Sequence, residues 1–268
     1  DPSVLIGQRM LEDLERNNLF VVPLDHERRW YRYHHLFAEL LLQRLSQIQP
    51  ERVSSLHKKA SEWYEQNGFG DKAIEHSLNA DEFEQAANLI EDQANRVWDH
   101  GEHTKLRRWL EALPEKILFT KPQLSIFYAW FLFVKGQDGQ AERNLEAAER
   151  AYGISLERDS ENTPINQGKF TDSEQMKIRG RAAVIRASIA SHRRDVSGII
   201  QHARLALEYL PEEDSAWRNT ATIALGDTYA YQGDISAVYK ARKEELETSK
   251  QSGNIYTTMI TSLKLTLI

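Results

Sequence analysis

Chain breakers are scarce in this sequence and sparsely placed. Thirteen Gly and seven Pro interrupt 268 residues. Between them apolar residues recur at helical spacing, as at Phe83, Ala86, Ala87, Ile90, Ala94 and Val97. Such a chain has few ways to fold other than as packed helices. Start signals agree: Thr120-Lys121-Pro122-Gln123 and Thr171-Asp172-Ser173-Glu174 each place a capping Thr three residues before an amide or acid. Turn signals stand at Asn67-Gly68, Asp81, Gly101, Gly136-Gln137-Asp138, Arg194-Asp195, Pro211 and Gly233-Asp234. They divide the chain into about eleven or twelve helices of roughly 9 to 20 residues.

The helices repeat. Tyr64 lies four residues before Gly68, with Ala73 and Ala80 five and twelve after it; Leu132, Ala141 and Ala148 hold the same offsets around Gly136. From Gly68 to Gly136 is 68 residues, twice the 34-residue tetratricopeptide period. Small residues at those offsets let antiparallel helices approach closely. Gly233 is a third anchor, but its Ala237 and Ala241 are slightly off register. The fold expected is all-α: a tetratricopeptide-like helical-hairpin solenoid, a right-handed superhelix, over residues 49–268. A polar stretch at about 153–172 reads as an inserted loop.

One segment departs from the helical pattern. Leu19-Phe20-Val21-Val22-Pro23 is apolar, Asp25-His26-Glu27-Arg28 is a polar turn, and Trp30-Tyr31-Arg32-Tyr33-His34 alternates. This predicts one β-hairpin at about 19–34, between a helix over about Val4 to Arg16 and another carrying Leu36, Phe37, Leu40, Leu41 and Leu45. Helix, two-stranded wing and helix point to the C-terminal part of a winged-helix domain, residues 1–48. Asp1-Pro2 at the start, and the apolar-patterned Met259 to Ile268 at the end, read as an excised fragment. Leu263, Leu265, Leu267 and Ile268 then read as an exposed apolar end, and self-association through it would be an artefact of the cut.

Composition narrows the function. With 34 Lys and Arg against 40 Asp and Glu, the formal charge is -6, which argues against direct nucleic-acid binding by this chain. No Cys is present, so thiolate catalysis and Cys-ligated zinc are out. The longest apolar run, Ile126 to Val134, is far short of the ~20 residues that span a bilayer. A cytoplasmic location is expected.

Catalytic signatures are missing: no G-x-x-x-x-G-K-[ST], G-x-G-x-x-G, H-E-x-x-H or G-x-S-x-G occurs. His100-Gly101-Glu102-His103 could hold a metal only with further ligands, and a solvated turn explains it better. Glu142, Glu146 and Glu149, among Arg143 and Arg150, read as an ion-paired helix face. We therefore expect no catalytic residues, no metal and no cofactor in this chain, and no enzyme. The aromatic run Phe127 to Phe133 reads as solenoid core or, at Trp130 and Phe133, as a stacking platform on the inner surface. The same offsets place Gln123, Ser188, His192, Thr220 and Asp227 on that face as ligand-binding candidates. Arg28, Arg29 and Arg32 look like a basic wing largely neutralised by Asp25, Glu27 and Glu39, and read as an interdomain surface.

The hairpin and its flanks carry a family resemblance. Leu14-Glu15-Arg16-Asn17-Asn18-Leu19-Phe20-Val21-Val22-Pro23-Leu24-Asp25, then Arg29-Trp30-Tyr31-Arg32-Tyr33-His34-His35-Leu36-Phe37-Ala38-Glu39-Leu40-Leu41, resembles the segment closing the winged helix of MalT-like, LuxR-type transcriptional regulators. Trp63-Tyr64-Glu65-Gln66-Asn67-Gly68 with Ala73-Ile74-Glu75-His76, and Trp109-Leu110-Glu111-Ala112-Leu113-Pro114, resemble that family's first solenoid hairpins. The match covers about residues 10 to 115; beyond it only degenerate repeats are similar. The resemblance implies a signal-transduction ATPase of the STAND class whose ATP-binding and DNA-binding domains lie outside this chain and are its partners. It also implies a solenoid that senses a small-molecule inducer, saccharides included, or a protein, and so controls nucleotide-dependent oligomerisation. The alternative is a tetratricopeptide-type scaffold that takes a peptide or partner helix. A hydrolase stands third.

Overall fold

The computed structural model describes residues 2–17, 19–152, 171–251, 253 and 255–267. Helix α1 (Pro2–Arg16) leads into strands β1 (Val21–Pro23) and β2 (Tyr31–Tyr33), which pair antiparallel with Val21 opposite Tyr33 and Pro23 opposite Tyr31. The connection is held by Asp25, whose carboxylate accepts from the backbone N–H of Arg29 (2.9 Å) and Trp30 (3.1 Å). Helix α2 (His35–Ile48) follows and buries none of its residues.

The remaining elements are helical: α3 (Pro50–Gln66), α4 (Gly70–Asn79), α5 (Phe83–Asp99), α6 (His103–Glu111), α7 (Glu115–Thr120), α8 (Pro122–Val134), α9 (Asp138–Ala151), α10 (Asp172–His192), α11 (Val196–Tyr209), α12 (Ser215–Tyr231), α13 (Ile235–Gln251) and α14 (Ile255–Thr266). The described residues thus hold fourteen helices, more than the expected eleven or twelve, and one of the additions is α7, a six-residue helix with its own turn. The loop expected at about 153–172 falls largely outside the described residues; Thr171 and Asp172 belong to the start of α10.

The turns lie where the breakers stand. Gly68, Gly101, Gly136 and Gly233 adopt φ between +73° and +78°, and Asp81 and Arg194 adopt φ of +57°. A left-handed residue just past a helix end frees the chain to reverse direction. Thr171 makes the expected capping box: its side chain accepts from Glu174 N–H, and Glu174 accepts from Thr171 N–H at 2.7 Å. Thr120 does not cap. It ends α7, donating to the Ile117 carbonyl (2.7 Å), and the residue before α8 is Lys121, with no side-chain cap. Pro122 displaces the start by a residue, since it supplies the preset φ of a first helical position and lacks the N–H that a cap would satisfy.

Antiparallel hairpins α3–α4, α8–α9 and α10–α11 stack into a helical solenoid. From α8 onward the odd and even helices form two layers. Helices α8, α10, α12 and α14 lie side by side, while α9, α11 and α13 pack behind them. Helix α10 buries residues all round, including Gly180, whose absent Cβ would sit 2.6 Å from the Leu210 side chain. The core runs from Ala73 and Ile74 on α4 through Trp98, Phe127 and Ile185 to Trp217 and Ala224 on α12. No described helix is long and apolar enough to cross a membrane.

Candidate functional site: a cavity along the inner helix layer

The inner layer encloses a cavity of about 330 Å³. Helix α8 contributes Trp130, Phe133 and Val134; α10 contributes Ser188, Ser191 and His192; α12 contributes Thr220, Ile223, Ala224 and Asp227; α14 contributes Thr257, Ile260 and Lys264. Helical spacing explains the grouping. Residues three or four apart share one face, as Ser188, Ser191 and His192 do on α10 and Thr220, Ala224 and Asp227 on α12.

One wall is aromatic. Trp130 and Phe133 lie with ring centroids 5.5 Å apart, and the His192 ring lies 4.6 Å from Phe133. Behind Trp130 the rings of Trp98 and Trp217 stack at 4.5 Å, each edge-on to it. Trp130 and Phe133 are therefore both things the sequence offered, core residues and cavity lining, with 6% and 5% of their surface exposed. Phe127 and Ala129 of the same run are wholly core.

The opposite wall is an ionic network. Lys264 donates to both oxygens of Asp227, at 2.6 and 2.7 Å, and the Ser191 hydroxyl donates to the same carboxylate at 2.7 Å. From behind, buried Arg242 of α13 also donates to Asp227, to the Ile223 carbonyl (3.0 Å) and to Glu245 (2.7 Å). Burial pushes the Glu245 carboxyl up from its ordinary range, against the pull of Arg242. Two cations offset two carboxylates, so the wall is polar with no net charge. Two further hydroxyls are turned to the backbone, Ser188 donating to the Val184 carbonyl (2.9 Å) and Thr220 to the Ala216 carbonyl (2.9 Å).

Six of the seven inner-face candidates, Trp130, Phe133, Ser188, His192, Thr220 and Asp227, line this one cavity; Gln123, at the far end of α8, does not. Ser191 and Lys264 were missed. Lys264 is the only charged residue between Met259 and Ile268, and that isolation was the available signal. Arg28 pairs with Glu15 (3.2 Å) and Arg29 with Glu27 (2.5 Å), while Arg32 is exposed on β2. His103 is not in a solvated turn: it stacks on Trp98 at 4.3 Å, and burial lowers its pKa to about 4. His100 faces the Arg96 carbonyl instead. Among the described residues no three His, Asp or Glu side chains are grouped to hold a metal.

A two-stranded wing leading into a helical solenoid defines the class, and two family profiles match it part by part. The MalT winged helix domain matches residues 6–53, and the MalT-like TPR region matches residues 180–268. The chain thus carries one region similar to the MalT winged helix and one similar to the MalT-like TPR region. The second match covers the later repeats, where the residues themselves resembled the family least. Curated relatives include the HTH-type transcriptional regulator MalT of Cronobacter sakazakii, 27% identical over 86% of this chain, and that of Yersinia enterocolitica, 28% identical over 86%. The serine/threonine-protein kinase PknK of Mycobacterium tuberculosis is 27% identical over 68%. The chain spans 24% of the length of either MalT relative and 15% of the kinase. No solved structure matches.

Proposed function

We propose that this chain is the signal-sensing and regulatory module of a MalT-like transcriptional activator, and that the inner cavity takes a small neutral ligand. One observation carries the reading: four successive inner helices meet around a single cavity with an aromatic wall and a charge-balanced polar wall. At about 330 Å³ it lies at the small end of ligand sites. That favours a small molecule over a docked peptide. The relatives support the regulatory role, because one named a transcriptional regulator and one named a protein kinase share this region while their named outputs differ. What they have in common is then the module upstream of the output. Nucleotide and DNA binding belong to other domains of the longer protein.

Ligand entry would change the solenoid only through differential affinity for two curvatures. The Asp227–Lys264 pair, which joins α12 to α14, is where such a difference would be felt. The test is calorimetry of the purified chain against neutral mono- and oligosaccharides and small aromatic glycosides. Binding that Trp130→Ala and Phe133→Ala each weaken tenfold or more supports the site. A ligand bound with unchanged affinity by both variants would place sensing elsewhere.

A further inference from the structure

Where the wing meets the first solenoid hairpin, a series of rings runs from one to the other. Trp30, beside β2, lies edge-on to Trp63 (5.7 Å) and to Phe69 (5.5 Å). Phe69, in the turn between α3 and α4, lies edge-on to Tyr64 at 6.0 Å, and Tyr64 stacks on His76 at 5.3 Å. His76 of α4 ends the series with its Nδ1 2.8 Å from the Nδ1 of His57 on α3.

Two ring nitrogens at that distance need one proton between them, one donating and the other accepting. A neutral pair satisfies this, and so does a pair carrying one charge. A doubly protonated pair cannot, because both nitrogens are then donors and both rings are cations. The surroundings do not rescue a second charge. Glu75, the carboxylate that acts on His76, is already engaged by Lys72 (2.9 Å) and by Arg108 of α6 (3.0 Å), and Lys58, next to His57 on α3, has its own partner in Glu82 (2.6 Å). Burial, then His57, then Lys72 depress the His76 pKa, with Glu75 opposing.

We propose that His57 and His76 form a proton-operated clasp between α3 and α4, and that charging both rings opens it and loosens the seat of the wing's Trp30. This device needs nothing from the inner cavity. The closed pair accepts one proton and resists the second, which the open pair takes readily, so the contact holds while one ring stays neutral and is lost as falling pH, below the ordinary histidine range, charges both.

The test is amide-exchange protection of α3 and α4 in the 268-residue chain between pH 8 and pH 5, with the fluorotryptophan resonance of Trp30, assigned by Trp30→Phe, followed in parallel. Wild type should show the α3–α4 opening constant rising by up to about tenfold per pH unit below 6.5 for each proton taken up, with the Trp30 signal moving alongside. His57→Gln and His76→Gln, whose amides can donate or accept without charging, should each hold the opening constant within about twofold over the same range. Ring-nitrogen shifts of the wild type, which need no variant, should show the His76 ring charging below the ordinary histidine range. A wild-type profile flat in pH, a profile unchanged by either Gln, a Trp30 signal that ignores the opening, or a His76 ring that charges in the ordinary histidine range would each overturn the proposal.

Discussion

Asp214→Ala would strip the acid from a buried Arg. Arg181 on α10 donates to Asp214, just ahead of α12, through Nε (2.9 Å) and a terminal nitrogen (3.1 Å), with 6% and 8% of the two residues exposed. Its guanidinium lies 5.5 Å from the ring centres of both Phe127 and Trp217. Removing one partner of such a pair costs about 3–5 kcal/mol, because the remaining charge is desolvated without its counter-ion. Asp99 moderates the loss. Its carboxyl is held above the usual range by burial first and by the Asp214 charge second, and Arg181 pulls it the other way. Without Asp214 that repulsion ends and Asp99 becomes the counter-ion, which places the single variant near 3 kcal/mol. Asp99→Asn combined with Asp214→Ala should add about 1–2 kcal/mol, the cost of removing that substitute. Arg181→Met with Asp214→Leu should lie within about 1 kcal/mol of wild type, since the site then holds no charge at all. Urea unfolding followed by far-ultraviolet circular dichroism and by tryptophan fluorescence measures all three variants against wild type, provided the two probes give coincident transitions. A cost below 1 kcal/mol for Asp214→Ala would mean that the guanidinium reaches water and that the pair does not hold α10 to α12.

Two other perturbations have definite signs. Gly180→Ala would put a methyl group 2.6 Å from the Leu210 side chain and 3.2 Å from its backbone nitrogen, and should destabilise by about 1–3 kcal/mol in the same urea assay despite the better helix propensity of Ala. His103, with a pKa lowered to about 4 by burial, contributes stability that is complete above pH 6.5 and is lost as the pH falls towards 4, in all about 3 kcal/mol. Unfolding curves at pH 7 and pH 4 should show that loss in wild type and less of it in His103→Phe, and an unchanged difference would show that the ring is solvated.

Local signals were legible and distant ones were not. Asn67-Gly68, Gly136 and Gly233 announce their turns because a left-handed residue leaves a mark on composition at one position. The hairpin, too, is written in contiguous residues from Leu19 to His34. The cavity was partly legible for the same reason: Trp130, Phe133, Ser188, His192, Thr220 and Asp227 sit at repeat offsets that a solenoid turns into one face. Lys264 and Arg242 escaped because their role depends on which carboxylate they meet after 37 and 15 residues of intervening chain. Arg181 and Asp214, 33 residues apart, escaped likewise. Thr120 misled because Pro122 decides where α8 begins, and a capping pattern is blind to that. The short α7 was invisible since six residues give no period to read.

The walls of the inner cavity come from residues as far apart in sequence as Trp130 and Lys264, and α14 joins them through α12 and α13. Trp217 of α12 meets Trp130 and Phe127 of α8 and Trp98 of α5, a ring cluster that ties the stack across more than one helix. Pulled from its two ends, the solenoid should therefore give up α13 and α14 first and hold from α5 to α12 until that cluster opens. A molecule seated against all four inner helices would extend the tie to α14, and α8 to α14 should then yield as one block, in a single larger step.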